Sequence, residues 1–255
     1  MNTIATVDDL RRFLGLTPGD TADDVRLRAA LRAATAAVER ECGRRFTPRS
    51  AARIHATNRL LRADELPLDD DLLALHALAD SAGPIALELV ELLPTRGPAH
   101  TLRLREGRAF AVGGAIVTGL WGWHDDPPAA WRSSSDEVQD NPLTMTASII
   151  QVIDADGSDA AFEAPRFQEG ALLRIDEEYL RVVRVDAAAN VLHVRRGQAG
   201  TQPNAHARGT PIDVYQPPAE ARDLVLRWAA WLLRQSGPLP AELRAALAPL
   251  RRLSA

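Results

Sequence analysis

Three short segments carry the residue types from which acid–base and metal sites are built. Residues 124–126 read His-Asp-Asp, residues 69–71 are three consecutive aspartates, and residues 176–178 read Asp-Glu-Glu. A closed metal site needs ligands that converge from several parts of a chain, and a calcium loop needs alternately spaced ligands with a central glycine. The first two segments have neither feature. They are therefore predicted to be solvated turns.

The carboxylates at 176–178 remain as candidates for general acid–base catalysis. They lie between two strand-like segments, which favours a turn. Cys42 lies on the apolar stripe of a helix and is expected to pack as a small hydrophobe. His193 and His206 have no evident partner and are interpreted as structural. The sequence therefore predicts no catalytic, cofactor-binding or metal-binding residue and no enzyme, and a hydrolase that uses the acidic turns is the last-ranked alternative.

Composition and charge limit the function further. The chain has 255 residues, of which 46% are hydrophobic and 25% charged, as in an average globular protein. Its 34 acidic residues face 30 arginines and no lysine, and the net charge of −4 argues against a dedicated nucleic-acid binder. No apolar stretch approaches the ~20 residues of a membrane span, and the amino terminus has no secretion signal. We expect a soluble protein in a reducing compartment.

Both ends of the chain are predicted to be helical. A short helix begins after Thr6 and ends at Gly15, and a helix of residues 219–235 follows two prolines. Between them, a longer helix begins near residue 21 and ends at Gly43. Its apolar residues recur at spacings of four and three: Leu27, Leu31, Ala34, Val38 and Cys42. This stripe predicts one buried helix face.

Between the helical ends, two blocks of short segments show strand-like alternation. The first covers residues 53–123, in which 70–80 is ambiguous between helix and strand, and the second covers residues 143–216. Residues 129–142 are polar and predict a linker. The fold class is therefore α+β, with the second block expected to form a small barrel or sandwich. The predicted domains are a helical domain of residues 1–142 plus 217–255 and an inserted β domain of residues 143–216.

Four tryptophans form an unusual aromatic set. Trp121 and Trp123 lie on one face of a predicted strand, while Trp228 and Trp231 lie on one face of a predicted helix. Aromatic residues dominate both cores and interfaces. We interpret the four as a core aromatic junction that joins the β layer to the last long helix, with an exposed interaction patch as the alternative.

Several motifs occur together in a characteristic order. They are VDDLRRFLGL at 7–16, VERECGRRF at 38–46, VTGLWGW at 117–123, the prolines at 127–128, and the helix of 219–235. This combination resembles the head–tail connector (adaptor) proteins of long-tailed bacteriophages. The resemblance covers roughly residues 1–128 and 217–240. It implies a helical connector domain formed by the N- and C-terminal helices.

The resemblance also implies a structural function. Connectors of this family are virion proteins of the phage neck that form a ring, usually of twelve copies, under the portal. The ring extends the DNA channel, through which DNA passes without specific binding, and docks the next neck, stopper or tail protein. The resemblance thus implies a protein made in the host cytoplasm that ends in the virion. It implies no cofactor and no membrane contact.

In such connectors the extreme C-terminus commonly reaches the portal. The matching amphipathic segment here provides the candidate portal-binding residues: Leu239, Leu243, Leu247, Leu250, Arg251 and Arg252. The alternative is that this segment packs on its own domain.

The block of residues 143–216 departs from simpler connectors. Its spacing, RIxxEYxxV followed by VxRGxxGTxxxxHxxGT, resembles a small β-module of phage tail-associated proteins. This departure keeps an alternative function open, that of a tail-associated β-module protein that binds a carbohydrate or a host surface.

Overall fold

The structure, a computed structural model, describes residues 3–17, 21–58, 60–234 and 240–252. It combines α-helices with two antiparallel sheets, which confirms the predicted α+β class. The chain divides into two compact units. The first unit consists of Met1–Gly43 and Pro128–Ala255, and the second unit consists of Arg44–Pro127.

Helix α1 begins and ends where the sequence predicts, whereas α2 ends as predicted but begins about three residues later than predicted. Helix α1, Val7–Leu14, begins with a capping box in which the Thr6 hydroxyl accepts from the Asp9 N–H, and the Asp9 carboxylate accepts from the Thr6 N–H. Helix α2, Asp24–Cys42, ends at Gly43, whose φ of +62° a glycine adopts without strain. The predicted apolar stripe of α2 is buried.

The second unit is built on a six-stranded antiparallel sheet. Its strands are β1 (Arg49–Ala56), β2 (Glu65–Asp80), β3 (Gly83–Ile85), β4 (Val90–Leu93), β5 (Ala99–Leu104) and β6 (Gly114–Trp121). The order is β1-β6-β2-β5-β4, with β3 paired to β2, and the first strand pairs with the last from Arg49 opposite Trp121 to Ala56 opposite Gly114. The ambiguous segment 70–80 is therefore a strand, the second half of β2, which pairs with β6 and, at its end, with β3.

The first unit contains the second six-stranded antiparallel sheet. Its strands are β7 (Trp131–Glu137), β8 (Ile149–Gln151), β9 (Leu172–Ile175), β10 (Glu178–Asp186), β11 (Val191–Arg195) and β12 (Pro211–Tyr215). The order is β7-β12-β9-β10-β11-β8, and the described strands form no closed barrel. One face covers a core that includes Ile150, Phe167, Leu173, Leu180 and Leu192.

The prediction of a linker at 129–142 is wrong, because residues 131–137 form strand β7. The polar side chains of this strand find partners inside the unit. The buried Ser134 hydroxyl donates to the carbonyl of Ile212 at 2.6 Å, and the Asp136 carboxylate accepts the N–H groups of Ile153 and Asp154 at 2.9 Å each. Buried polar groups are tolerated when they are hydrogen-bonded in this way.

Helices from opposite ends of the chain pack together, as predicted. Helix α3, Ala219–Arg234, contacts both α1 and α2, and α4, Ala241–Ala245, contacts α3. Arg222 of α3 pairs with Asp9 of α1 at 2.5 Å, although 213 residues separate them. None of the described helices has the length and apolar character needed to cross a membrane.

The two units divide the chain at other points than the predicted domain boundaries. Residues 143–216 belong to the same unit as the helices. The Thr6 hydroxyl donates to the Gln168 amide oxygen at 2.8 Å, and Arg28 pairs with Glu169 at 2.7 Å. That residues 143–216 form an insertion that can be removed without unfolding the helices stays a prediction.

Candidate functional site

Two of the motifs that carry the family resemblance meet in the second unit. Arg44 and Phe46 come from the motif at 38–46, and Trp123 from the motif at 117–123. The Phe46 and Trp123 rings are 5.7 Å apart in an edge-to-face arrangement, and the Arg44 guanidinium lies 5.0 Å from the centre of the Trp123 ring. The Trp123 N–H donates to the Arg45 carbonyl at 2.7 Å. Residues more than 70 positions apart thus form one aromatic and cationic cluster.

A buried carboxylate and a glycine complete this motif cluster. Asp71 has a side chain only 3% exposed, and its carboxylate lies 3.4 Å from Arg44. Its carbonyl accepts the Gly122 N–H at 2.9 Å. Gly122 has a φ of +141°, and a Cβ there would lie 3.0 Å from the Thr47 carbonyl oxygen. The motif therefore requires glycine between its two tryptophans for conformation and for space.

The predicted junction tryptophans fall into two pairs. Trp121 is fully buried in the core of the second unit, where its indole N–H donates to the Ala51 carbonyl at 2.9 Å. Trp228 and Trp231 lie on α3 of the first unit. That the two pairs meet in one aromatic junction stays a prediction.

Trp231 lines a groove in the first unit. The groove has a volume of about 440 Å³ and is also lined by Phe13, Ala230, Pro240 and Leu243. Within the described part of the chain, the buried Nε1 of Trp231 has no hydrogen-bond partner. Trp228 is 7% exposed and packs inside the unit. Trp228 is thus buried, whereas Trp231 borders this groove.

The candidate portal-binding leucines are buried within the first unit. Leu243, Leu247 and Leu250 are 7%, 0% and 2% exposed, and Leu239 lies outside the described residues. These values correspond to the second of the two predicted arrangements, in which the segment packs on its own domain. The apolar face of this segment is thus covered by its own chain.

The two arginines after these leucines join the C-terminal segment to α2. The Arg252 N–H donates to the Cys42 carbonyl at 2.8 Å, and Arg251 lies 3.8 Å from Glu41. The Arg251 side chain is 46% exposed. Of the candidate portal-binding residues, Arg251 is therefore well placed to meet a partner. Binding of the portal itself stays a prediction.

Charged pairs also hold the helices of the first unit together. Asp24 pairs with Arg11 across α1 and α2, and with Arg28 at 3.2 Å along α2. Burial alone would raise the pKa of Asp9, but the Arg222 guanidinium and the Thr6 donors hold this pKa below its usual value. These arginines thus pair with carboxylates of the same chain.

A second buried network was missed in the sequence. Glu178, 2% exposed, accepts from Arg196 Nε at 2.7 Å and Nη2 at 2.6 Å, and from the Gly197 and Asn204 N–H groups at 2.9 Å each. The ring of His206, 1% exposed, places Nε2 at 2.9 Å from Glu178 and Nδ1 at 2.7 Å from Asp176. His206 was predicted to be structural, and the structure provides the partners that the sequence did not reveal.

This Glu178 network cross-links the loop of residues 196–206 to strand β10. The Arg196 guanidinium also donates to the carbonyls of Thr144 and Ala147, at 2.8 and 3.1 Å. Burial tends to raise the pKa of Glu178, and the hydrogen bonds from Arg196, Asn204, His206 and Gly197 outweigh it, so that the net pKa is lowered. Both carboxylate oxygens and both ring nitrogens are engaged, which is the arrangement of a structural cross-link. Among the described residues, no group of three or more His, Cys, Asp or Glu could hold a metal ion.

Comparison with known proteins gave similarity only at the level of solved structures. No protein-family model and no curated protein matches it. Among solved structures, it is similar to a chain of the neck of an empty GTA particle, computed with C6 symmetry, with 23% identity and a TM-score of 0.36. The match covers 47% of this chain and 65% of that chain.

Proposed function

We propose that the protein is a structural component of a phage neck, a head–tail connector that forms a ring under the portal. It has no catalytic role in this proposal. The ring extends the DNA channel and docks the next neck or tail protein. The observation that carries the proposal is that the motifs of the resemblance at 38–46 and 117–123 meet in one cluster of Arg44, Phe46 and Trp123.

The packing of the chain ends supports the same proposal. A connector formed by its N- and C-terminal helices requires these helices to be neighbours, and α3 contacts α1 and α2. The net charge of −4 also suits a channel wall, because DNA slides past a surface that does not bind its phosphates. A closed ring of one chain requires two different faces that mate with each other.

The direct test mixes the purified protein with the portal protein of the same particle. Negative-stain electron microscopy should show rings, and the two proteins should sediment together. If the mixture shows no rings and the two proteins sediment separately, the connector assignment is overturned. A gold-labelled antibody against this protein, applied to intact particles, shows where in the particle the protein lies. Label at the head–tail joint supports the proposal, and label at the tail tip would favour a host-surface binder instead.

Portal binding by the C-terminal segment is tested by reversing one surface charge rather than by deleting the segment. Removing residues after 238 would also remove the buried leucines and unfold part of the unit. Arg251→Glu changes an exposed side chain and should weaken portal binding, while the matched control Arg105→Glu reverses an exposed charge in the second unit. Equal portal affinities for wild type and Arg251→Glu would remove Arg251 from the docking site and leave the ring assignment intact.

A further inference from the structure

Buried arginines of this chain are generally paired with carboxylates of the same chain. The pairs whose side chains are both at most 11% exposed include Arg11 with Asp24, Arg166 with Asp136, and Arg196 with Glu178. A buried guanidinium without an anion leaves an uncompensated charge, which is strongly unfavourable. The pairing is therefore a requirement of burial.

Arg181 on strand β10 departs from this pattern. Its Nη1 donates to the Gly170 carbonyl, but its Nη2 is buried and has no hydrogen-bond partner among the described residues. No carboxylate of the described chain pairs with it. Burial lowers the pKa of Arg181 to about 10, as expected for a cation removed from water without a counter-charge.

Arg181 lines a cavity in the first unit that is rich in arginine. The cavity has a volume of about 200 Å³ and lies among α1, α2 and strand β10. Arg28, Arg32 and Arg195 also line it, and Glu169 is the one acidic residue of the lining. Arg28 is already paired with Glu169 at 2.7 Å. Three cations of the lining are thus left without an acidic partner among the described residues.

The excess of positive charge is local. The chain as a whole carries −4 and has more acidic residues than arginines. Arg32 and Arg195 are exposed, so solvent screens them, whereas the buried Nη2 of Arg181 is shielded. A guanidinium presents several donors in a planar fork, the geometry that carboxylates and phosphates match. At about 30 Å³ per liquid water, the cavity has room for an oxyanion with some of its water.

We propose that this arginine-lined cavity is an oxyanion-binding site, in which Arg181 donates to the anion from the interior and Arg32 and Arg195 do so from the rim. The ligand is a phosphate or carboxylate group. It comes either from a free anion or from an acidic side chain of a second copy of the chain. The site does not depend on the proposed neck function.

The probe is inorganic phosphate, titrated into the full-length protein by calorimetry at constant ionic strength. We expect one phosphate per chain, with an affinity at least about tenfold weaker in Arg181→Gln, since a charge-assisted hydrogen bond contributes about 1.5–3 kcal/mol. Arg32→Gln, at an exposed residue of the rim, should also weaken phosphate binding. This second variant tests the site even if Arg181→Gln fails to fold. Arg40→Gln is the matched control, because it removes the same charge from the same helix outside the cavity.

The outcomes separate the site from general salt effects. Absence of phosphate binding, or equal binding in all four proteins, would overturn the proposal. Sedimentation in chloride and in phosphate then identifies the source of the anion. Self-association that is lost in phosphate and in Arg181→Gln supports an acidic side chain of a second copy. Unchanged sedimentation together with selective phosphate binding supports a free anion.

Discussion

Replacing Glu178 with glutamine should cost the first unit much of its stability. The substitution keeps the shape of the side chain and removes the charge that partners Arg196, whose side chain is only 7% exposed. It also turns one acceptor oxygen into a donor, in a site where donors converge from Arg196, Gly197 and Asn204. The variant therefore leaves a buried guanidinium without a counter-charge.

The size of the effect follows from the burial of the pair. Removing one partner of a buried ion pair costs about 3–5 kcal/mol. At about 2–4 °C per kcal/mol for a chain of this size, the unfolding midpoint should fall by roughly 6–20 °C. Urea unfolding followed by far-ultraviolet circular dichroism measures the loss of free energy, and thermal unfolding followed by the same signal measures the shift of the midpoint. Glu177→Gln, the same substitution at the exposed neighbouring residue, should stay within about 0.5 kcal/mol of wild type.

The pH dependence gives an independent check of the same carboxylate. The pKa of Glu178 in the folded protein lies below the 4.5 of an ordinary glutamate side chain, so its contribution to stability is present above pH 4.5 and is lost as the pH falls through the folded-state pKa. The difference between wild type and Glu178→Gln should therefore shrink on acidification below pH 4.5. A loss under about 1 kcal/mol at neutral pH would refute the reasoning, because it would mean that the pair is solvated.

Two further substitutions test packing in the two units. Leu247→Ala should lower the free energy of unfolding in urea by about 2–5 kcal/mol, because Leu247 is fully buried. The control Leu61→Ala, at a fully exposed leucine, should change it by less than about 0.5 kcal/mol. Equal effects of the two substitutions would show that residues 240–252 are not packed on the first unit. Gly119→Ala places a methyl group 2.3 Å from the Ala74 carbonyl oxygen and should cost about 1–3 kcal/mol in thermal unfolding. Wild-type stability of that variant would contradict the close approach of β2 and β6.

The helices could be predicted because their signals are local. Thr6 and Asp9 form a capping box within one turn, and Gly15 and Gly43 adopt the left-handed conformation that ends a helix. The packing of α3 on α1 and α2 was inferred from the position of the strand blocks between two helical ends and from a family resemblance. No residue pattern within a helix identifies its partner.

The strands were harder to predict, because distant pairing decides them. Residues 70–80 have a helix-favouring composition, yet they form the second half of β2, which pairs with β6 and β3. Residues 131–137 are polar enough for a linker, yet they form a strand that pairs with β12. Backbone groups inside the unit provide hydrogen-bond partners for the buried side chains of Ser134 and Asp136. Tertiary context outweighs propensity in both segments.

The hydrogen-bond network of Glu178 could not be predicted from the neighbouring sequence, although the alternation of residues in the strand indicated that Glu178 is buried. Asp176 and Glu177 form the predicted exposed turn, but Glu178 begins β10 and shares its buried face with Leu180 and Val182. A carboxylate on the inward face of a strand requires a buried cation, and Arg196 supplies it from 18 residues away. The alternation identifies the residue, and only the three-dimensional structure identifies its partner.

The pairing of β1 with β6 bears on how the length of the second unit can change in evolution. The second unit enters through β1 and leaves through β6, and these strands are hydrogen-bonded neighbours from Arg49 opposite Trp121 onward. A segment whose two ends lie side by side can be exchanged for a shorter or longer one while the remaining polypeptide needs only a turn to close. The adjacent ends of β1 and β6 thus make residues 44–127 a segment whose length can change while the chain on either side keeps its spacing.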